Sequence, residues 1–328
     1  MIKFLIFIIT LLTVIIIARI IRIVEITSEL SGESDVETDK KDNKFNGGMM
    51  IFFLIATITF FIYVTLHYKK FLLPVSASEH GVSIDIMLNI TFVIITVVFF
   101  ITQILLFYYA YRYQYKKEKK AFFFADSHKV EIIWTAIPAV VLIALVIYGL
   151  KVWNKIMEPA PKDAMIIELY SKQFDWTARY AGKDNKLGKS NFHFISGANV
   201  VGMDPNDPQG KDDIISTTEL HLPVNTPILL VLHARDVLHS AYLPHFRVQM
   251  NTVPGMTTQF HFTPTITTDA MRKITKNEKF DYILLCAKLC GVAHYGMKMK
   301  VVCDTKEQFA AWMSKQKPVS LEEQLVSK

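Results

Sequence analysis

The chain contains 328 residues, of which 51% are hydrophobic and 20% are charged, and its formal net charge is +6. Soluble domains carry roughly 45–50% apolar and about 25% charged residues, so the apolar excess is small but the charge deficit is real. This composition excludes a disordered chain, and the charge is too small and too evenly spread for a nucleic-acid-binding protein. Three cysteines are too few for a secreted disulfide scaffold.

Four apolar segments in the first half of the chain approach the roughly 20 residues that cross about 30 Å of hydrocarbon. They are residues 2–24, 49–66, 86–109 and 132–150. Lys3, near the start of the first segment, also fits a signal peptide, but the apolar run is longer than the usual core of about 7–15 residues. We therefore predict four transmembrane helices.

The loop between the third and fourth predicted helices is strongly basic, and this sets the orientation. Its cationic residues are Arg112, Lys116, Lys117, Lys119, Lys120 and Lys129. The positive-inside rule places such a loop in the cytoplasm. The chain after Leu150 is then expected outside, and residues 25–48 inside.

From residue 160 onward the apolar period approaches two, which is typical of β-strands. The predicted strands are Ala164–Tyr170, Gln173–Tyr180, Thr218–Leu222, Ile228–Ala234, Thr258–Phe262, Tyr282–Cys286 and Lys298–Cys303. Turn residues separate them, which predicts an all-β sandwich or barrel. Residues 182–214 are predicted to be a surface loop, and Thr305–Lys315 a helix with Thr305 as N-cap facing Gln308.

One segment spaces four candidate metal ligands as C-x3-C-x3-H-x2-M. They are Cys286, Cys290, His294 and Met297. Thiolate and thioether are soft donors that select copper, and imidazole also suits copper. Three alternatives remain at this point: a zinc site completed by a distant histidine, a Cys286–Cys290 disulfide, or two packed thiols. Met297 favours copper over zinc, because thioether is absent from the usual zinc ligand sets.

A remote strand is expected to supply a further ligand. The best candidate is His239, which follows a hydrophobic strand. Gly291 and Gly296 are predicted to let the ligand loop fold tightly, and Cys303 is predicted to be a packed thiol. Surface or core roles are predicted for five other histidines: His193, His221, His233, His245 and His261.

Glu131 lies at the mouth of the fourth predicted helix. A carboxylate at such a position is a functional candidate. The residues alone favour a plainer interpretation, in which Glu131 is an interfacial neighbour of Lys129 and Trp134 anchors the helix at the headgroups.

Five motifs occur in matching order between about residues 85 and 313, and together they resemble one family. They are E-x-x-W-T-x-x-P at 131–138, Q-F-D-W at 173–176, D-V-L-H-S at 236–240, V-P-G-M at 253–256 and C-A-K-L-C-G-V-A-H-Y-G-M at 286–297. This pattern resembles subunit II of the haem–copper cytochrome c oxidases. A quinol oxidase subunit would have lost the copper ligands, and a copper-delivery protein would not explain the motif at Glu131.

The resemblance implies a transmembrane α-helical anchor followed by an all-β cupredoxin-like barrel that holds a dinuclear copper centre, CuA. It implies that electrons pass from a cytochrome c through copper to the haem of subunit I, where oxygen is reduced to water. The implied ligands are two bridging thiolates, two imidazoles, a weak thioether and a backbone carbonyl, from Cys286, Cys290, His239, His294, Met297 and Lys288 respectively.

The resemblance also implies partners, boundaries and a location. Subunit I with its haem and CuB, subunit III, a cytochrome c donor, membrane lipid and a respiratory supercomplex are the implied partners. Glu131 matches a carboxylate at the entrance of a proton pathway into subunit I. The expected domains are residues 1–48, 49–150 with a hairpin at 86–150, 151–317 and a tail at 318–328. The expected location is a bacterial inner membrane, with the copper domain on the periplasmic face.

Three residues depart from the family pattern. Lys288 replaces a glutamate whose carboxylate helps to hold magnesium, and a cation cannot ligate magnesium, so that site is in doubt. Phe174 replaces the first tryptophan of the aromatic motif, so electrons could first enter at Phe174 or at Trp176. Asn251 stands where an aspartate is common, in the presumed exit region for water or protons.

Overall fold

The computed structural model describes residues 2–30, 40–116, 119–120, 122–197 and 199–318. The described residues within 1–67 and 96–126 form one compact unit, and those within 68–95 and 127–318 form a second. The predicted tail from residue 319 onward, Lys117 in the basic loop and part of the predicted cytoplasmic segment lie outside the described residues.

Long helices account for the apolar half of the chain. They are α1 (Ile2–Leu30), α2 (Lys40–Tyr68), α3 (Glu79–Arg112) and α4 (His128–Met157). Among the described residues, three segments are long and apolar enough to cross a membrane: Asp42–Phe71, Glu79–Arg112 and His128–Met157. Each contains one of the predicted spans, so those three are confirmed. The first span stays a prediction, since within α1 only residues 8 and 11–27 have described side chains.

Ten strands form two five-stranded sheets in the second unit. The strands are β1 (Met165–Lys172), β2 (Asp175–Tyr180), β3 (Ile214–Ser216), β4 (Glu219–Pro223), β5 (Ile228–Ala234), β6 (His239–Leu243), β7 (Val248–Thr252), β8 (Thr258–Phe262), β9 (Tyr282–Cys286) and β10 (Lys298–Asp304). The strand orders are β3-β2-β1-β5-β8 and β4-β10-β9-β6-β7. Strands β1 and β5, and also β4 and β10, pair in parallel, and the other neighbours are antiparallel.

All seven predicted strands are present, but three others carried no clear signal. Strand β3 has only three residues, and four of the five residues of β6 are buried, so neither shows alternation of apolar and polar residues. The third, β7, alternates in burial but carries polar side chains. A short helix, α5 (Thr268–Thr275), was also not predicted. The last helix, α6 (Lys306–Lys315), has the expected capping box between Thr305 and Gln308.

The polar insertion at residues 182–214 is more than the predicted surface loop. It contributes the fully buried side chains of Met203 and Asp213. Asp213 accepts a hydrogen bond at 2.9 Å from Nε of Arg179, which is also fully buried. Loss of either partner would leave the other charge buried without compensation, so this ion pair ties the insertion to β2.

The segment before α3 packs into the β domain. Ala77 is fully buried in the main core, its amide donates to the His245 carbonyl at 2.7 Å, and its carbonyl accepts from the Thr265 amide at 2.8 Å. Arg247 Nε donates to Asp85 Oδ1 at 2.8 Å, near the start of α3. The β domain is thus completed by residues far upstream of β1.

Candidate metal centre

Strand pairing brings the candidate ligands together. His239 is the first residue of β6 and Cys286 is the last residue of β9, and these antiparallel strands align Ala241 with Cys286. The Ala287 amide also donates to the Ser240 carbonyl at 3.0 Å. The sheet therefore fixes the remote histidine beside the first cysteine.

The two thiol sulfurs and four neighbouring donor atoms form one cluster. Cys286 Sγ lies 3.9 Å from Cys290 Sγ, 3.8 Å from His239 Nδ1 and 3.2 Å from the Lys288 carbonyl oxygen. Cys290 Sγ lies 3.6 Å from His294 Nδ1 and 3.8 Å from Met297 Sδ. Ligand atoms of His239, Cys286 and Cys290 all lie within 4.8 Å of one another. All six residues that were predicted from the sequence as copper ligands thus lie in one cluster.

These spacings suit metal ligation. Two ligands bound at about 2.0–2.3 Å to one tetrahedral metal lie roughly 3.3–3.8 Å apart. The observed donor separations of 3.2–3.9 Å are close to this range. Six donors exceed the four that one tetrahedral ion takes, whereas two ions sharing both thiolates would each have four. The residues present therefore fit a dinuclear copper centre.

The alternatives from the sequence fit less well. The sulfur separation of 3.9 Å is far above the roughly 2.05 Å of a disulfide bond, and both thiols are free. A single zinc ion would leave the thioether of Met297 and the Lys288 carbonyl without a role. Cys303 has a free, buried thiol, and its backbone amide donates a hydrogen bond to Thr268 Oγ1. This is expected for a packed residue.

Burial and the neighbouring Cys286 thiol raise the pKa of Cys290 to about 11. The metal-free thiol is therefore protonated at neutral pH. Because a metal binds the thiolate, ligation at this site releases protons.

Asp236 orients the His239 ring through Nε2, the ring nitrogen that does not face the thiols. Asp236 Oδ1 lies 2.8 Å from His239 Nε2, and the backbone amides of Gln173 and Val237 donate to the same carboxylate at 2.7 Å. Burial acts to raise the pKa of Asp236, but these hydrogen bonds outweigh it and hold the pKa below its usual value. Asp236 and Gln173 lie in the D-V-L-H-S and Q-F-D-W motifs, but their spacing alone predicted no role for either residue.

Gly291 lets the ligand loop approach the turn between β1 and β2 closely. Its φ of +140° is unfavourable for other residues, and a Cβ there would lie 2.8 Å from Gln173 Nε2 and 3.0 Å from Phe174 Cζ. Gln173 Nε2 also donates to the Cys290 carbonyl. A Cβ on Gly296 would meet open space, so the tight-loop prediction applies to Gly291 alone.

The two aromatic residues of the Q-F-D-W motif occupy different depths. Phe174 is partly buried and packs against the core beside the ligand loop. Trp176 is fully buried, and its ring lies edge-on to His239 with centroids 6.4 Å apart. Both residues lie near the candidate centre, with Phe174 closer to solvent.

The outer surface of the ligand loop is apolar. Leu289, Val292 and Tyr295 are respectively 81%, 94% and 90% exposed. Lys288 is exposed, and only its backbone carbonyl is part of the donor cluster. The loop therefore presents one cation among exposed apolar side chains.

Glu131 lies in the first turn of α4, apart from the donor cluster in the sequence. Its side chain is 41% exposed, and Oε2 lies 3.2 Å from His128 Nδ1. Together with Ile132, Thr135 and Ala136 it lines a recess of about 310 Å³.

Comparison with known proteins identifies the family. Residues 65–152 match the transmembrane domain of cytochrome c oxidase subunit II, and residues 165–305 match the periplasmic domain of the same subunit. The chain is 36% identical over 235 residues to the alternative cytochrome c oxidase subunit 2 of Bradyrhizobium diazoefficiens, covering 71% of this chain and 80% of that protein.

The chain belongs to the cytochrome c oxidase subunit II family. A second relative, cytochrome c oxidase subunit 2 of Thermostichus vulcanus, is 30% identical, with 74% of this chain and 77% of that protein covered. Among solved structures, the periplasmic domain of subunit II of cytochrome oxidase from Bradyrhizobium japonicum is 22% identical. The match covers 48% of this chain and 95% of the chain in that structure, with a TM-score of 0.33.

Family membership confirms the fold class and the general function. The chain is subunit II of a haem–copper oxidase, with apolar helices that anchor it in a membrane and a cupredoxin-like β domain. It is therefore a component of a cytochrome c oxidase complex that works with other oxidase subunits. The family implies copper, and the cluster of His239, Cys286 and Cys290 can hold a metal ion.

Proposed function

We propose that this chain accepts electrons from a cytochrome c at a dinuclear copper centre and passes them to the haem of subunit I. The observation that carries the proposal is the cluster of six donors, the Cys286 and Cys290 sulfurs and four others, with neighbouring donors 3.2–3.9 Å apart. The thiolates of Cys286 and Cys290, together with the four other donors, would hold the copper ions.

Copper bound in this way supplies a one-electron redox centre. The protein holds the donors with paired strands and with loops that are tied to them by hydrogen bonds. Cys286, Cys290, Met297 and His239 are all buried, so solvent has little access to the bond-forming atoms. Donors that are held rigidly and shielded from solvent keep nearly the same geometry in both redox states. This lowers the reorganisation energy of electron transfer.

Electrons are proposed to enter beside Phe174 rather than at Trp176. Phe174 is partly exposed and lies beside the ligand loop, whereas Trp176 is only 1% exposed and packs edge-on against His239. The exposed apolar tips Leu289, Val292 and Tyr295 are proposed to exclude water where a cytochrome c docks. Trp176 then serves as the packing support of the His239 ring.

Glu131 is proposed to serve the entrance of a proton pathway that continues in subunit I. It is half-exposed on the recess at the start of α4, where a neighbouring subunit could cover it. The basic residues of the loop before α4 support the proposal that this end lies in the cytoplasm. We further propose a bacterial inner membrane as the location, with the copper domain on the periplasmic side, and subunit III and a supercomplex as further partners.

No magnesium site is proposed at Lys288. Its side chain is a cation where the family uses a carboxylate, and magnesium takes oxygen ligands. The backbone carbonyl of Lys288 is unaffected by this substitution and lies 3.2 Å from Cys286 Sγ.

Rapid mixing of the assembled oxidase with reduced cytochrome c tests the proposal. Oxidation of the cytochrome should coincide with loss of the copper centre's absorption, before the haem of subunit I is reduced. Haem reduction without any change at copper would refute this order of electron transfer.

A further inference from the structure

A second candidate binding site lies in the β domain. It is a cavity of about 480 Å³, and none of the six copper donors lines it. One side is formed by the polar insertion, including Ser190 and Phe192, and another by the turn that contains Met256. Its volume falls within the roughly 300–1,000 Å³ that is typical of small-molecule sites.

The floor of the cavity is a preorganised network. The rings of Tyr170 and His233 stack with centroids 4.8 Å apart. Behind them, the buried Glu168 accepts a hydrogen bond from Tyr170 at 3.1 Å and lies 3.0 Å from His233 Nε2. Arg179 donates to the same carboxylate at 2.9 Å. These bonds fix both rings without any bound ligand, so little order must be gained on binding.

The charge of the lining favours an anion. Arg235 lines the cavity, and its guanidinium has no hydrogen-bond or ion-pair partner among the residues that the structure describes. No aspartate or glutamate is among the described residues of the lining. Glu168 is covered by His233 and Tyr170 and is neutralised by Arg179, so it does not repel an anion in the cavity. An arginine without a partner is a ready carboxylate ligand, because its planar fork matches both oxygens.

The rest of the lining is apolar or weakly polar. Val201, Val253 and Met256 offer aliphatic surface, and Phe192 offers an exposed ring. A ligand that satisfies both parts of the cavity has a carboxylate at one end and an apolar body at the other.

We propose that this cavity binds a small organic carboxylate with an aromatic or aliphatic body, with the carboxylate held by Arg235. The site is separate from electron transfer at copper, and its occupancy does not require the copper centre. It gives the β domain a second binding function.

Binding of 4-fluorobenzoate to the full-length chain in detergent micelles tests the proposal. Fluorine NMR line broadening should give a Kd of about 1 mM or tighter. The neutral amide of the same shape, 4-fluorobenzamide, should bind at least roughly tenfold more weakly, because it lacks the charge that Arg235 recognises.

Variants separate the site from general adsorption to micelles. Arg235→Gln should weaken the carboxylate roughly tenfold or more, and Lys279→Gln, which removes the same charge from an exposed position elsewhere, should not. Met256→Trp keeps Arg235 but fills the cavity, and it should also weaken binding; circular dichroism verifies folding. Equal binding of the acid and the amide, equal binding to the Arg235→Gln and Lys279→Gln proteins, or no broadening by 4-fluorobenzoate would overturn the proposal.

Discussion

Asp236 Oδ1 lies 2.8 Å from His239 Nε2, on the opposite side of the imidazole from Cys286. This contact places the ring proton on Nε2 and leaves the lone pair of Nδ1 directed towards the thiol sulfur, 3.8 Å away. Metal-binding histidines commonly donate their second ring nitrogen to a carboxylate in this way. Asp236 is thus a positioning residue for the metal centre.

Replacing Asp236 by Asn is expected to weaken copper binding by roughly 10–100-fold, the usual effect of losing such a contact. The amide can present its NH₂ group to Nε2 and so favours the other tautomer, in which Nδ1 carries the proton. Competition with a copper chelator measures the affinity. Asp163→Asn, at an exposed position, is the control. Equal affinities of the two variants would show that Asp236 does not position the ligand.

The main chain and side chain at residue 288 are expected to have separate roles. Lys288→Ala keeps the carbonyl near Cys286 Sγ and should retain both copper ions. Cys290→Ser removes one bridging sulfur and should eliminate the dinuclear centre. Metal analysis of each purified protein gives the comparison, with Cys303→Ala as a control that removes a buried thiol outside the cluster. Loss of copper from Lys288→Ala would assign a role to the ammonium group.

Glu131→Gln removes the titratable group at the start of α4 while keeping its size. We expect slower turnover and reduced proton pumping of the assembled oxidase, with copper content unchanged, because Glu131 is not part of the donor cluster. Oxygen consumption and proton ejection from reconstituted vesicles measure the two effects. Normal turnover and pumping would instead support a purely interfacial carboxylate.

The buried Glu168 network should make the β domain acid-sensitive. Burial acts to raise the pKa of Glu168, but the hydrogen bond with His233 and the charge of Arg179 outweigh it and lower the pKa. A lowered pKa contributes stability that is fully present above the ordinary value of about 4.5 and is lost as the pH falls through the folded-state value.

Glu168→Gln should therefore destabilise the protein by about 1–3 kcal/mol at neutral pH, and the difference from the parent protein should shrink below about pH 4.5. Thermal unfolding of the full-length proteins across this range measures the trend. The exposed Glu158→Gln variant should match the parent throughout. A difference that stays constant with pH would contradict the role of the Glu168 charge.

The sequence predicted those features that depend on local spacing. The alternation in Ile228–Ala234, the capping box at Thr305 and the ligand spacing from Cys286 to Met297 each lie within a few residues, and each is present in the structure. Strand β6 was not predicted, because its buried residues on both faces remove the period of two.

Contacts between distant segments could not be read from spacing. Ala77 forms backbone hydrogen bonds with His245 and Thr265, more than a hundred residues later, and Asp213 pairs with Arg179 across the insertion. These contacts depend on tertiary packing rather than on local pattern. They also make the full-length chain the appropriate protein for testing the metal centre, since a fragment that begins at residue 151 lacks the segment around Ala77.

Copper stoichiometry combined with the EPR spectrum of the full-length chain tests the central claim most directly. After loading with copper, we expect two copper ions per chain and one unpaired electron shared by both nuclei, seen as a seven-line hyperfine pattern. One copper ion per chain with a four-line pattern, or retention of zinc in its place, would contradict a dinuclear centre at Cys286 and Cys290.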